Sequence, residues 1–189
     1  MGGRQGEVRL IGGLWKRSKL PVPAQPGLRP TPDRVRETLF NWLGQELTGW
    51  RVLDAFAGSG ALGFEAASRG AAEVMLLERD PAIARGLQAS KERLKGTMLT
   101  ILCTDALAWM SRAAPGRFDL VLLDPPFGAG ACARAAELAA PLISPTGLLY
   151  VEGPQPLAAV PAGFEPWRSL RAGAVHAMLM RRGGGEIAP

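Results

Sequence analysis

The sequence predicts an α/β fold of the Rossmann-like type, in which helices cover a mostly parallel sheet. Three observations support this prediction. Short apolar segments with strand character alternate with helical segments along most of the chain, which favours parallel strands joined by right-handed crossovers. A glycine-rich turn follows one of these strands, and acidic residues follow four strands in succession. The 189 residues, 47% of them hydrophobic, are sufficient for one domain with a single core.

The N-terminal segment is predicted to be a basic β-hairpin arm. Residues 8–11 and 14–17 flank a Gly-Gly pair, which is a two-residue hairpin signal, and a proline-rich connector follows over 21–30. Residues 1–29 carry a net charge of +5 and the rest of the chain is neutral, which indicates phosphate contacts. A solvated tail is the alternative. The candidate nucleic-acid contacts here are Arg9, Trp15, Lys16, Arg17, Lys19 and Arg29, with Trp15 expected to stack on a base.

A helix is predicted to begin at Thr31, the expected N-cap, with Pro32 in the first helical position and an acid in the first turn. Apolar residues recur at helical spacing and are expected to face the core: Val35, Leu39, Trp42 and Leu43. Arg34 and Arg36 are expected to point away from the core. Arg34 is a further candidate for nucleic-acid contact, with a solvated helix face as the alternative for both arginines.

A ligand-binding turn is predicted after the strand that begins at Val52. Gly58, Gly60 and Gly63 match G-x-G-x-x-G, in which glycines permit a tight turn and close approach of the backbone to a ligand. Asp54 precedes the first glycine by four residues, where a carboxylate would repel a pyrophosphate and would favour a cofactor with a cationic amino acid portion. The turn therefore favours an adenosyl amino acid over NAD. Two more of its residues are expected to contact the cofactor, Phe56 and Ser59.

Two further strands end in acids that suit the same cofactor. The segment 73–78 ends at Glu78, placed to accept hydrogen bonds from ribose hydroxyls, and the segment 98–103 is followed by Asp105, which could accept from an adenine amino group. Glu78 as a solvated strand end and Asp105 as the N-cap of a helix over 106–112 are the structural alternatives. The predicted cofactor contacts also include the adjacent Arg79 and Ala106.

The fourth acid-tipped strand, 118–123, runs into the tetrapeptide Asp124-Pro125-Pro126-Phe127. Each proline fixes its own φ and biases the preceding residue towards extended geometry, so the loop is rigid. Its acceptors, the Asp124 carboxylate and the Pro125 carbonyl, lie beside an aromatic ring. These features suit an exocyclic amino group on a planar base that rests on Phe127. Such a base must be unpaired or flipped, because a stacked one cannot reach the loop.

The remaining segments complete the sheet. Helices are predicted over 61–69, 81–94 and 131–142, a fifth strand over 147–152, and an antiparallel pair over 165–182. The expected organisation is a hairpin arm and connector over 1–30, the main domain over 31–182, and a frayed tail over 183–189.

Other sequence features bound the class of protein. Cys103 and Cys132 form neither a disulfide framework nor a metal-binding pair, and both are expected to be buried thiols of a cytoplasmic protein. No apolar segment reaches the roughly 18 residues needed to cross a bilayer, and the first residues lack the apolar region of a signal peptide. The lone His176 is expected to be a packed or surface residue. The oligomeric state is left open, with a monomer favoured.

Together these motifs resemble the class I S-adenosylmethionine-dependent methyltransferases, and more narrowly the RsmD family, which makes N2-methylguanosine in bacterial 16S ribosomal RNA. The resemblance covers nearly the whole chain and rests on segments 9–13, 29–41, 54–60 and 124–127. It implies the class I methyltransferase sandwich, with a seven-stranded, mostly parallel sheet and an antiparallel C-terminal strand. It also implies S-adenosylmethionine as cofactor and 16S ribosomal RNA, free or within a small subunit, as partner. Guanine N2 is implied by the resemblance, whereas the motif chemistry alone indicates only an amino nitrogen.

Three alternatives stay open. A DNA or RNA adenine-N6 methyltransferase would use the same loop, although the DNA enzymes usually need a target-recognition domain, for which 189 residues leave little room. A protein glutamine methyltransferase typically has asparagine where Asp124 stands and would not need a basic arm. A catalytically silent, cofactor-binding RNA assembly factor is the third alternative, and the intact tetrapeptide argues against it.

Overall fold

A seven-stranded sheet forms the centre of the computed structural model, which describes residues 6–22, 31–126 and 129–183. The strands of this sheet, in chain order, are β3 (Arg51–Asp54), β4 (Glu73–Glu78), β5 (Leu99–Cys103), β6 (Phe118–Leu123), β7 (Ile143–Gly153), β8 (Phe164–Ala172) and β9 (Val175–Arg182). The helices are α1 (Asp33–Trp42), α2 (Ala61–Ser68), α3 (Pro81–Leu94), α4 (Ala106–Met110) and α5 (Ala129–Ala139), and a short 3₁₀ turn follows over Ala140–Leu142. None of the described helices is both long and apolar enough to cross a membrane.

The sheet order is β5-β4-β3-β6-β7-β9-β8. Strands β3 to β7 are parallel to one another, and β9 is antiparallel to both β7 and β8. The predicted seven-stranded, mostly parallel sheet with an antiparallel C-terminal strand is confirmed. The chain runs outwards from β3 to β5 and then returns to the other side of β3 at β6. In open α/β sheets, ligands bind beyond the carboxyl ends of the strands at such a reversal.

Each face of the sheet has its own apolar cluster. Helices α1, α2 and α3 cover the face that carries Leu76 and Tyr150, while α4 and α5 cover the face that carries Leu77 and Val151. Successive residues of a strand point to opposite faces. The strands are therefore apolar on both sides, as expected for a parallel sheet between two helical layers.

The predicted hairpin is present, but its turn differs from the prediction. β1 (Glu7–Arg9) and β2 (Lys19–Pro21) pair as antiparallel strands. The prediction of a two-residue turn at Gly12-Gly13 is wrong, because residues 10–18 connect the two strands. Leu10 and Leu20 are buried in the core cluster under α1–α3. The connecting segment is closed by the backbone hydrogen bonds of Leu10 with Ser18 and Arg17, and the N–H of Leu14 donates to the carbonyl of Ser68 on α2 at 2.7 Å.

A buried ion network fixes the hairpin to α2. The carboxylate of Glu65 accepts from the backbone N–H groups of Ile11 and Gly12, at 2.8 Å each. The same carboxylate lies 2.8 Å from Nε of Arg69 and 3.5 Å from Nη1 of Arg36. The expectation that Arg36 points away from the core is wrong: its side chain is fully buried because Glu65 supplies the compensating charge.

Two local expectations also differ from the structure. Pro32 is the N-cap of α1, and no side chain of the described residues caps the helix, because the buried Thr31 forms its hydrogen bond with Glu152. Cys103 is exposed, whereas Cys132 is buried as predicted. Cys103 ends β5, which pairs with only one strand among the described residues, so the end of this edge strand is open to solvent.

Candidate active site

Acidic residues of four neighbouring strands lie at the carboxyl edge of the sheet. Asp54 and Glu78 end β3 and β4, Glu152 lies near the end of β7, and Asp124 directly follows β6. The parallel register of β6 and β7 makes Asp124 and Glu152 the next neighbours beyond the last paired residues. The edge therefore gathers carboxylates that lie up to about 100 residues apart in the chain, at the reversal where a ligand is expected.

The turn between β3 and α2 requires glycine, and at Gly60 it has no room for a side chain. Gly58 and Gly60 have φ values of +50° and +80°, a region that strongly favours glycine. A Cβ atom on Gly60 would lie 2.7 Å from Leu87 and 2.8 Å from Phe64. The N–H of Gly58 donates to Oε2 of Glu78 at 3.0 Å. Glu78 thus holds the turn in place, and it stays half-buried at the sheet edge.

Asp54 lies beneath this turn and is only 2% exposed. Its Oδ2 accepts from the N–H of Gly63 at 2.9 Å, and its carboxylate accepts a second backbone hydrogen bond from Phe56. Burial raises the pKa of Asp54 to about 7, against the lowering effect of these two hydrogen bonds. No ion pair with a basic side chain reaches Asp54 within the described residues. A cationic ligand above the turn would therefore stabilise its charged form.

Asp124 and Glu152 form a second acidic group. Burial raises the pKa of Asp124 well above its usual value, and the charges of Glu152 and Asp54 raise it further. Burial also raises the pKa of Glu152, which is 4% exposed, while hydrogen bonds from Tyr150 and Thr31 oppose this effect. The Tyr150 hydroxyl donates to Oε2 of Glu152 at 3.0 Å. These carboxyl groups are thus held in an environment that penalises negative charge.

The tetrapeptide after β6 is described in part. Pro125 is buried and Pro126 is exposed. Phe127 lies outside the described residues, as does Arg29 of the connector, so the aromatic support of the base and the contact of Arg29 with RNA stay predictions.

The other predicted cofactor residues lie at the rim of the same edge. Asp105 is the N-cap of α4 and accepts from the N–H of Ala108 at 2.8 Å, so the structural alternative is what the structure shows. The side chain is nevertheless exposed, and its contact with adenine stays a prediction. Arg79 is exposed, whereas Ala106 and Ser59 are buried.

Trp15 is buried and not available to stack on a base. It is 7% exposed, its ring centroid lies 6.1 Å from that of Phe64, and its backbone N–H donates to Oγ of Ser68 at 2.9 Å. The structure contradicts the prediction of base stacking, because burial against α2 removes this large apolar side chain from water. The adjacent Leu14 is instead 77% exposed.

The other basic residues predicted to contact RNA lie on the surface. The side chains of Arg9, Lys16, Arg17, Lys19 and Arg34 belong to exposed residues. Lys19 forms an ion pair with Glu7 at 2.6 Å, and its carbonyl accepts from the guanidinium of Arg93 at 2.6 Å. Through this contact the basic end of α3 lies directly against the hairpin.

The sequence analysis missed three residues of the site. Glu152, Tyr150 and Thr31 form one hydrogen-bonded group beside Asp124. The signal for Glu152 was available, because the fifth predicted strand also ends in an acid. The hydroxyl partners gave no such signal, since their role depends on the pairing of β7 and on the position of the segment before α1.

The sheet order, the glycine turn at its reversal and the acidic carboxyl edge define a class I methyltransferase fold. Residues 8–181 match the family described as "Conserved hypothetical protein 95", and the chain belongs to this family. It is 40% identical over 181 residues to the Ribosomal RNA small subunit methyltransferase D of Escherichia coli (strain K12), with 94% of this chain and 91% of that protein covered.

Solved structures agree with this assignment. A putative methyltransferase, yhhF, from Escherichia coli superposes with a TM-score of 0.84 at 38% identity, covering 95% of this chain and 100% of the other. A 16S rRNA N2 G1207 methyltransferase (RsmC) of Thermus thermophilus, solved in complex with AdoMet and guanosine, superposes with a TM-score of 0.69 at 23% identity, covering 95% of this chain and 50% of the other. The similarity to the RsmC structure concerns the fold alone.

Proposed function

We propose that this protein transfers the methyl group of S-adenosylmethionine to the exocyclic N2 of a guanine in 16S ribosomal RNA, in the bacterial cytoplasm. The observation that carries the proposal is the position of Asp124, at the start of its proline loop, on the same sheet edge as the glycine turn over Asp54. The name of the Escherichia coli relative supports ribosomal RNA as the substrate. Guanine N2 rests on the family resemblance of the tetrapeptide and the basic arm.

The residues present fit S-adenosylmethionine. Asp54 and Asp124 are carboxyl groups with raised pKa values, and no ion pair with a basic side chain reaches them in the described parts of the chain. This environment favours a ligand that brings positive charge. Gly58 and Gly60 allow the positive φ values of the turn, while Glu78 and Asp105 offer acceptors at the ends of the next two strands. When bound, the cofactor supplies an electrophilic methyl group on a positively charged sulfur.

The loop after β6 activates the target nitrogen through orientation. The lone pair of a guanine amino group is delocalised into the ring, so the nitrogen is a poor nucleophile. Acceptors at the Asp124 carboxylate and the Pro125 carbonyl would hold its two N–H bonds and direct the lone pair towards the cofactor side of the cleft. Phe127 is proposed to hold the ring of the flipped base.

The exposed basic residues of the hairpin and α1 are proposed to contact RNA phosphates. Arg9, Lys16, Arg17 and Arg34 are exposed, and the hairpin is fixed rigidly to α2. Arg93 and Lys95 at the end of α3 are exposed beside β2 and extend this surface. Contacts of this kind position the substrate and carry no sequence information.

A methyl-transfer assay tests the proposal. The protein is incubated with labelled S-adenosylmethionine and with either 16S ribosomal RNA or small subunits from cells that lack this activity, and the modified base is mapped. We expect one N2-methylguanosine. Methylation of adenine N6 would replace the proposal with the adenine alternative, and cofactor binding without any transfer would indicate a silent assembly factor.

The variant Asp124→Ala separates catalysis from cofactor binding. It removes an acceptor of the target amino group, so kcat should fall by roughly 100-fold or more, while calorimetry should show nearly unchanged affinity for S-adenosylhomocysteine. Glu165→Ala, which removes a carboxylate from a half-exposed ion pair on β8, is the matched control. Turnover of Asp124→Ala near the wild-type rate would contradict the role of Asp124.

A further inference from the structure

Glu152 is a buried acid for which the proposed methyl transfer has no role so far. Its carboxylate accepts from the Tyr150 hydroxyl at 3.0 Å and from the Thr31 hydroxyl. Its backbone carbonyl lies 3.6 Å from Sγ of Cys132 on α5. Contacts with β7, with the segment before α1 and with α5 therefore hold Glu152 in place. Burying a carboxylate carries a large desolvation cost. A residue with a purely structural role could be neutral and would avoid this cost.

Among the described residues, the titratable groups that interact with Asp124 are acidic or neutral. Glu152 and Tyr150 face it from β7, Asp54 from β3 and Cys132 from α5, as their electrostatic interactions show. In the described parts of the chain, neither Asp124 nor Glu152 forms an ion pair with a lysine or arginine. Two adjacent carboxyl groups without a cation do not both ionise readily, so they titrate as a pair.

The hydrogen bonds decide which member of the pair carries the charge. Two hydroxyl groups donate to Glu152, and donors stabilise the ionised form of a carboxyl group. The hydrogen bonds of the described residues include no donor to the side chain of Asp124. The negative charge is therefore favoured on Glu152, and an available proton is favoured on Asp124.

We propose that Glu152 is a positioning residue that keeps a fixed negative charge beside Asp124, so that Asp124 takes the proton lost by the methylated amino group. This inference rests on the proposed methyl transfer to a base amino group. The nitrogen lone pair forms the new N–C bond, and the electrons of the broken S–C bond stay on sulfur. The nitrogen is then positively charged, one of its N–H bonds breaks, and the proton passes to the carboxylate of Asp124.

The first test measures protonation in the absence of cofactor and substrate. Aspartate and glutamate side-chain carboxyls are labelled with ¹³C and titrated by NMR in the wild type and in Glu152→Gln, which keeps the shape and an acceptor oxygen. We expect the pKa of Asp124 to fall by about one unit or more in the variant, because the neighbouring charge is lost. Glu165→Gln removes a remote carboxylate and should leave this pKa unchanged. An unchanged pKa of Asp124 in Glu152→Gln would overturn the proposal.

The second variant, Tyr150→Phe, tests which member of the pair carries the charge. It removes a donor to Glu152, so the first titration step of the pair, in which Glu152 ionises, should move to higher pH. The last step, in which Asp124 ionises beside the charged Glu152, should stay near its wild-type position. This variant keeps the proposal testable if Glu152→Gln does not fold. A first step that stays in place while the last step moves to higher pH would assign the charge to Asp124 and would contradict the proposal.

Single-turnover kinetics connect the titration to the reaction. The acidic limb of the pH–rate profile should move to lower pH in Glu152→Gln and should stay near its wild-type position in Tyr150→Phe, because Glu152 is already ionised where Asp124 titrates. If Glu152 only maintained the fold, Glu152→Gln would lower the rate at every pH without moving the limb, and this result would overturn the proposal. If the wild type transfers no methyl group, the proposed function fails, while the NMR titration still decides the charge arrangement.

Discussion

The buried network around Glu65 should determine the stability of the protein. In Glu65→Gln, the side chains of Arg36 and Arg69 would stay buried without their shared counter-charge. Removing one partner of a buried ion pair costs about 3–5 kcal/mol. We expect a loss of about 3 kcal/mol, because Arg36 also pairs with the exposed Asp33 and the glutamine can still accept one backbone N–H. Such a loss is a large share of the stability of an ordinary domain.

Urea unfolding followed by far-ultraviolet circular dichroism measures this loss. Hydrogen exchange provides a local measure, because the amides of Ile11 and Gly12 donate to Glu65 and should exchange much faster in the variant. Glu165→Gln, in a half-exposed ion pair, is the control and should change the free energy of unfolding by less than about 1 kcal/mol. A free energy of unfolding of Glu65→Gln within that same margin of the wild type would refute the reasoning.

Three further predictions concern the site and the hairpin. Gly60→Ala should weaken S-adenosylhomocysteine binding and lower the melting temperature more than Gly116→Ala, because both have positive φ but only Gly60 is crowded; equal effects in calorimetry would contradict this. Burial raises the pKa of Asp54 to about 7 in the folded state, so the folded protein without cofactor loses stability as the unfolded chain ionises from about pH 4 upwards. The stability of Asp54→Asn relative to wild type should therefore increase up to about pH 7 and then level off, whereas a flat difference in urea titrations would contradict the raised pKa. Arg17→Ala should reduce the log–log salt dependence of RNA binding by roughly 0.7 to 0.9, and Arg168→Ala on β8 should leave it unchanged; equal slopes for both variants would remove Arg17 from the interface.

Local signals predicted the core elements well. The predicted segments 73–78, 81–94 and 118–123 match β4, α3 and β6. Apolar runs mark the strands, and the capping side chain of Asp80 with Pro81 behind it marks the start of α3. The order of glycine turn and acid-tipped strands was likewise sufficient to place Asp54, Glu78 and Asp124 at one edge.

The sequence was least informative where long-range contacts decide the outcome. Arg36 lies off the apolar stripe of α1, yet Glu65, 29 residues further along the chain, makes its burial possible. Trp15 lies among basic residues and suggests a nucleic-acid contact, but its environment is set by Phe64 and Ser68 on α2. Glu152 gains its significance from the pairing of β6 with β7. Periodicity describes one element at a time and cannot reveal these partners.

Helix α2 connects the proposed cofactor site to the hairpin that is proposed to contact RNA. Its N-terminus follows the glycine turn of the cofactor site, and near its C-terminus Glu65 and Ser68 bind the backbone of the hairpin. The helix is eight residues long and buried throughout, so the proposed phosphate-contacting surface and the proposed cofactor site are joined by a rigid helix of about 12 Å. The distance between the two sites would then be fixed by the protein. The protein would methylate the nucleotide that lies at this distance from the bound phosphates in the folded RNA, and the RNA, not the protein, would have to change its conformation on binding.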